Sequence, residues 1–301
     1  MSEADTAARR SFWTEYQPGL RFSAAEVGSP EFFAEVEAHR YASEPAIPEM
    51  ADFARWSGRD VLEAGCGIGT DGLQFARAGA NYVGMDFSPT AVDLARRRFA
   101  DAGARGEFLH GSIVELPFPD ESFDLVYSNG VVHHLPTPRA VIDEFHRVLR
   151  PGGQATVMVY HRHSLNFFVS LMVLRRTLAA FLLVPGMDTA VAKLTGESLD
   201  VMQGHKTLLR THGLRYLSDP SLFLSNNTDG PGNPLSRVYS RRSGAALFSE
   251  FASVDVAVRF LNLRVYPGGD RIARTAAARR LERRWGWHLW IRARRAGSGS
   301  A

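Results

Sequence analysis

Three glycines alternate in VLEAGCGIGTDG, residues 61–72, where an apolar run gives way to a helical pattern. Gly65, Gly67 and Gly69 carry no Cβ, so the chain can turn tightly there and a ligand can lie against the backbone. A strand that passes through such a loop into a helix is the opening unit of a parallel sheet layered with helices. The segments that follow keep the alternation. Apolar runs at 59–64, 80–86, 106–110, 122–128 and 153–160 read as strands, with helical patterns at 70–78, 88–100 and 137–149 between them. Ser88 and Pro89 give the second helix a favoured cap and first turn. Arg150-Pro151-Gly152-Gly153 stops the third.

The alternation ends near residue 160. Residues 161–250 read as helices plus the polar loop NNTDGPGNP at 226–234, and strand-like runs return at 253–261 and 286–293. The expected fold is therefore α/β, a Rossmann-like, seven-stranded, mostly parallel sheet with an antiparallel edge, an N-terminal helical cap and a helical lid insertion.

Composition excludes several other classes. With 301 residues, 45% apolar and 22% charged, the chain is neither disordered nor collagen-like. Cys66 is the only cysteine, which rules out an intrachain disulfide. The first ten residues lack the apolar core of a signal peptide. The most apolar stretch, 167–184, holds Arg175 and Arg176 at its middle, which argues against a membrane span, and a cytoplasmic location is the expectation. The net charge of +3 is unevenly spread: residues 259–295 hold eleven arginines against Asp270 and Glu282. Such a stretch either meets an anionic partner or forms a solvated helix face. No aromatic sheet pattern interleaves the arginines, so nucleic-acid binding is not expected.

Two ligand classes compete for the glycine loop. Gly67, Gly69 and Gly72 have the spacing of a dinucleotide fingerprint. Glu63 opposes that reading, because a carboxylate beside a pyrophosphate at ~4 Å costs about 4 kcal/mol at an effective dielectric of 20. A cationic ligand suits the same carboxylate. No Gly-Lys-Ser/Thr is present, so the loop is not a phosphate-cradling P-loop. Asp86, at the tip of the second strand, can accept both hydrogen bonds of a ribose diol.

Taken together, EAGCGIG, VGMDFS, LPFPDESFDLVYSNGVVHHL and HRVLRPGG resemble the class I S-adenosylmethionine-dependent methyltransferases, within the ubiquinone/menaquinone-methyltransferase-like group. The resemblance is dense over residues 59–160. It implies S-adenosyl-L-methionine as cofactor. Glu63, Gly65, Gly67 and Gly69 would line its methionine half, Asp86 would hold the ribose, and Phe87 would lie beside the adenine. Family members often carry an acid where HGSIVELPFPD has Ser112; Ile113 could offer its backbone N–H to the adenine ring. Ser128 and Asn129 would meet the ligand's ammonium group through backbone carbonyls. Asp71 lies near the cofactor loop, or caps its helix. The chain then divides into a helical cap (1–57), a cofactor-binding core (58–160), a lid or substrate insertion (161–250) and two closing strands (251–301).

Histidine suits base catalysis near neutral pH. His133 and His134 follow the fourth strand, and side chains about 100° apart on a helical turn cannot both face an acceptor. Position favours His133 as the base, with His134 packed away. His161 and His163 lie past the fifth strand, at the edge where ligands bind. The spacing of these four histidines matches no metal signature, so no metal is expected. Tyr16, His39 and Tyr41 before the core, and Asn226, Asn227, Asp229, Asn233, Arg237 and Tyr239 after it, are candidate acceptor-binding residues. The expected activity is methyl transfer to O, N or C of a small-molecule acceptor in secondary or cofactor metabolism. The competing readings are an RNA or protein methyltransferase using the basic stretch, and a cofactor-binding regulator without turnover.

Overall fold

The computed structural model describes residues 11–15, 19–261, 263 and 275–298. Eight strands form one sheet: β1 (Asp60–Ala64), β2 (Asn81–Asp86), β3 (Glu107–His110), β4 (Phe123–Asn129), β5 (Leu149–His161), β6 (Val238–Tyr239), β7 (Ser253–Arg259) and β8 (His288–Arg294). The order is β3-β2-β1-β4-β5-β8-β7, with β6 pairing β5. β1 to β5 pair in parallel, while β8 runs antiparallel to both β5 and β7. β8 is thus the reversed strand, one place in from the edge.

Two details depart from the sequence reading. β5 starts at Leu149, before the expected break, because the chain crosses Arg150–Gly153 as a register shift against Phe123–Leu125 and stays extended. β6, inside the supposed insertion, adds an eighth strand by pairing Val238 and Tyr239 with Tyr160 and His161, beyond where β4 ends.

The helices flanking the core begin as their sequences dictate. α1 (Pro30–Ser43) is capped by Ser29, whose Oγ accepts from Phe32 N, and a short α2 (Ile47–Ala51) follows. α3 (Thr70–Arg77) leaves the glycine loop, α4 (Pro89–Asp101) is capped by Ser88, and α5 (Pro138–Val148) precedes β5. Leu62, Val126, Val157 and Leu289 sit in the core on one face of the sheet, and Val61, Leu125, Tyr127 and Trp290 on the other.

Beyond β5 a helix runs Asn166–Phe181, π-wound over Asn166–Arg175 and α-helical from Arg176 as α6. α7 (Asp188–Thr195), α8 (Leu199–His212), α9 (Arg215–Ser218) and α10 (Pro220–Thr228) complete the insertion. It packs around its own apolar cluster of Ala179, Leu182, Val191, Met202, Leu209, Tyr216 and Phe223. Asn226 and Asn227, expected in a loop, are the last turn of α10, which Asp219 starts by accepting from Ser221 N and Leu222 N. Among the described residues, no helix is long and apolar enough to cross a membrane.

The basic stretch serves two ends. Arg279, Arg280, Arg283 and Arg284 are exposed on α11 (Ala276–Trp285). Arg292 donates to the carbonyls of Glu49 and Met50, Arg295 pairs with Glu121, and Arg259 pairs with Glu49, so these three tie the closing strands to the rest. Arg264, Arg271 and Arg274 lie outside the described residues.

Candidate functional site

The site lies at the C-terminal edge of the parallel strands, where the loops after β1, β2 and β4 surround a cavity of about 210 Å³. Each loop glycine has its own reason. Gly65 has φ +84° and a Cβ there would overlap Val131. Gly67, at φ +51°, meets nothing within 4 Å, so the backbone opens directly onto the cavity. Gly69 does not line it; a Cβ would press on Ala95 at 3.2 Å, and the glycine lets α3 approach α4. Gly72 leaves room for Tyr82, whose hydroxyl donates to Glu63 Oε2 at 2.6 Å. Of the dinucleotide-like trio, Gly69 and Gly72 therefore serve packing, and only Gly67 opens onto the cavity.

Asp86 accepts from Gly67 N at 2.8 Å through Oδ2 and from Ser88 N at 2.9 Å through Oδ1. Burial pushes its carboxyl up while those N–H donors pull it down. Two carboxylate oxygens offer about four lone-pair sites, so acceptor capacity remains for a ligand. Glu63 is buried, and burial together with Asp71 holds its carboxyl well above the usual range. That weakens the charge argument placed on it above. Phe87, Ile113 and Val114 make an apolar wall, with Ser112 exposed at the rim. Asn129 and Gly130 line the cavity. Ser128 does not: its hydroxyl donates to Ala64 O at 2.8 Å and pins β4 to β1.

Asp71 is the hub beneath the site. Arg40 grips it with two hydrogen bonds of 2.8 and 2.6 Å, and Tyr127, Tyr41 and Asn129 donate to it at 2.9, 3.1 and 3.2 Å. Burial disfavours its charge, yet Arg40 and these donors hold the carboxyl below its ordinary value. Tyr41 thus supports the network and does not line a cavity.

A second chamber, of about 500 Å³, shares Trp13, Arg40, Thr70, Asn129 and Gly130 with the first. His39, stacked on Phe22 at 3.8 Å, Asn227 and Asp229 line it. The other acceptor candidates lie elsewhere. Asn226 holds a turn by accepting from Gly232 N, Asn233 donates to Asp229 and Ser236, and Arg237 donates to Pro136 O at the surface. Tyr239 is buried in β6. His161 is buried with Nδ1 3.0 Å from Gly286 O, and His163 is exposed beside Phe168. Tyr16 lies outside the described residues.

The histidine pair is reversed from expectation. His133 is fully buried against Tyr160 at 3.8 Å, lines neither cavity, and is pushed well toward neutrality by burial and by His134. His134 faces the first cavity. Its Nδ1 lies 2.8 Å from Leu235 O, and its Nε2 lies 3.4 Å from Asp229 Oδ2. The cause is the 3-10 turn Val132–His134, which tucks His133 under the tip of β5. Among the described residues no group of three or more His, Cys, Asp or Glu is placed to hold a metal.

Sequence reasoning missed Trp13, Arg40, Glu44, Tyr160, Trp287 and His288, all of which line the chamber. Only Tyr160 carried a signal, its place at the end of an expected strand. The others arrive from distant segments.

Comparison with known proteins decides the family of the core. Residues 62–157 match the family model described as a methyltransferase domain. These residues form a methyltransferase domain. A demethylmenaquinone methyltransferase of Clavibacter sepedonicus is 38% identical over 101 residues, covering 34% of this chain and 41% of that protein. A fatty-acid O-methyltransferase of Mycolicibacterium smegmatis is 41% identical over 98 residues, covering 32% and 35%. The likeness thus spans about two fifths of these relatives' length. A methyltransferase structure from Methanosarcina mazei superposes with a TM-score of 0.53 at 17% identity, over 83% of this chain and 98% of that one, which is a likeness of fold. The methyltransferase domain implies S-adenosyl-L-methionine as methyl donor, and its cavity fits that molecule. It has an open Gly67 backbone, an acceptor carboxylate at Asp86 and an apolar wall at Phe87 and Ile113.

Proposed function

We propose that this chain transfers a methyl group from S-adenosyl-L-methionine to a small-molecule acceptor held in the 500 Å³ chamber. The observation that carries this reading is the junction of the two cavities at Trp13, Arg40, Thr70, Asn129 and Gly130. A donor in the first cavity would present its methyl end there, facing the acceptor. The bound donor supplies a methyl group activated on a sulfonium. The residues around it supply alignment and exclusion of water, which together are worth ~7–11 kcal/mol.

In this reading Asp86 holds the ribose, and Phe87, Ile113 and Val114 flank the adenine. The Glu63 and Gly65–Gly67 backbone borders the methionine half, and Asn129 and Gly130 take its ammonium. His134, oriented by the Nδ1–H it donates to Leu235 O, takes a proton from the acceptor through Nε2. Two experiments test the proposal. Calorimetry should show binding of S-adenosyl-L-methionine and its demethylated product and none of NAD. Radiolabelled donor incubated with host metabolite extract should yield a labelled small molecule. Binding of NAD alone would sink the reading.

A further inference from the structure

The acceptor must be read from the chamber itself. Of the residues lining it, only Thr70, Asn129 and Gly130 fall in the segment matched to the methyltransferase family, 62–157. The rest of the wall comes from the N-terminal segments, the end of β5, the insertion and the last strands.

That wall combines stacked rings with carboxylates. Trp287 lies on Tyr160 with ring centres 4.4 Å apart and planes 22° apart, and Phe260 and Trp13 border the same space. Ring faces carry negative potential and attract cations. Glu44 and Asp229 face the chamber from opposite elements, and exposed Glu15 stands at its rim. The two guanidiniums in the lining hydrogen-bond to other groups, although the Arg40 charge also acts on Glu44. Arg40 is gripped by Asp71, and Arg175 reaches Glu197 at 3.4 Å and the Asn227 carbonyl. His288, 3.4 Å from Glu44, is no counter-charge, since burial lowers its pKa to about 3. Burial pushes the Glu44 carboxyl up, Arg40 pulls it down, and Asp71 adds to the rise. His134 adds a separate observation: its side chain is 5% exposed and its Nε2 has no hydrogen-bond partner, although it lines the first cavity and lies 3.4 Å from Asp229, which lines the chamber.

We infer that the acceptor is a small molecule bearing a basic nitrogen, bound as its cation against the aromatic wall of the chamber and the carboxylates of Glu44 and Asp229. This rests on the methyl-transfer reading above and names its substrate class. A neutral or anionic acceptor leaves two half-buried carboxylates short of positive charge, because Glu44 shares Arg40 with Asp71, and Asp229 has, among the described residues, only the neutral donors Tyr160 and Asn233 beside His134. The amine supplies that cation and then the nucleophile. Its ammonium gives one proton to His134 Nε2, and the freed lone pair forms the new N–C bond. The C–S bond breaks with its electron pair left on sulfur, so the donor's positive charge passes to the methylated nitrogen.

Three probes of one shape separate the possibilities: 2-phenylethylamine, 2-phenylethanol and 3-phenylpropanoate, titrated calorimetrically into the full chain at pH 7. The amine should bind at least about tenfold more tightly than the other two, by the energy of one charge-assisted contact. Glu44→Gln and Asp229→Asn should each remove about that factor for the amine and leave the alcohol unchanged. An alcohol or acid that binds as tightly as the amine overturns the inference, and this comparison requires only the unsubstituted protein. As a second readout, product labelled from the radioactive donor in host extract should be retained on a cation exchanger. Label in the neutral or acidic fraction would reject the amine while leaving methyl transfer intact. Amine binding without donor binding would reject methyl transfer instead.

Discussion

At the scale of single residues, His134 and His133 show how one turn decides chemistry. Adjacent in sequence, they differ in what they meet: a cavity and Asp229 for one, the ring of Tyr160 for the other. His134→Ala should lower turnover on the identified acceptor by about 10²–10⁴-fold, the scale of a lost general base, and leave the donor dissociation constant within a few-fold. His133→Ala should instead lower stability, because it empties a packed site at the tip of β5. Equal turnover in wild type and His134→Ala would leave positioning as the only catalytic device. His205 gives a pH prediction. Its Nδ1 lies 2.7 Å from the Tyr216 hydroxyl inside the insertion, and burial lowers its pKa from 6.5 to about 4. The unfolded chain therefore takes up this proton first. As pH falls from 6.5 toward 4 the residue removes stability, by at most about 1.4 kcal/mol per pH unit. His205→Gln cannot titrate. Urea denaturation at a series of pH values should show the stability of wild type relative to His205→Gln constant above pH 7 and shrinking in acid. A difference that grew in acid would contradict the buried, neutral state.

At the scale of elements, the glycine loop separates two kinds of constraint. Gly65→Ala meets Val131 and a left-handed backbone at once, so it should destabilise the fold by more than about 1 kcal/mol. Gly67→Ala meets no protein atom. It should cost only backbone strain in stability, yet weaken donor binding at least about tenfold, by placing a methyl where the ligand lies. Thermal unfolding and calorimetry on the two variants check this; matching losses in both would mean that the loop does not contact the ligand. The loop was legible in sequence because strand, turn and helix are local patterns. The π winding of the helix at 166–181 was not. Asn166, Leu171 and Arg175 all line the chamber at spacings of five and four, a face that π winding produces and a 3.6-residue period disperses. A reading tuned to the ordinary helix period finds an apolar helical run there but not this face.

For the whole molecule, the insertion has its own apolar cluster and meets the core mainly around the chamber, through Leu171, Leu224 and Asp229. It should open and close as a unit. Hydrogen exchange over 166–228 should slow when donor product and acceptor are both bound, and protection confined to 60–135 would show a rigid insertion. The sequence by itself determined the parallel core, the strand–loop–helix unit at the glycine loop, and Asp86 at the tip of the second strand. Periodicity, turn chemistry and strand tips are set by neighbours along the chain, so they can be read from it. Only the tertiary structure decided that Arg40 grips Asp71, that Ser128 and Gly69 serve packing, that His134 faces the cavity, and that Glu44, Tyr160 and Trp287 enclose one chamber. Those contacts join segments tens to hundreds of residues apart, and no local pattern encodes which distant surface a side chain will meet once the sheet has closed.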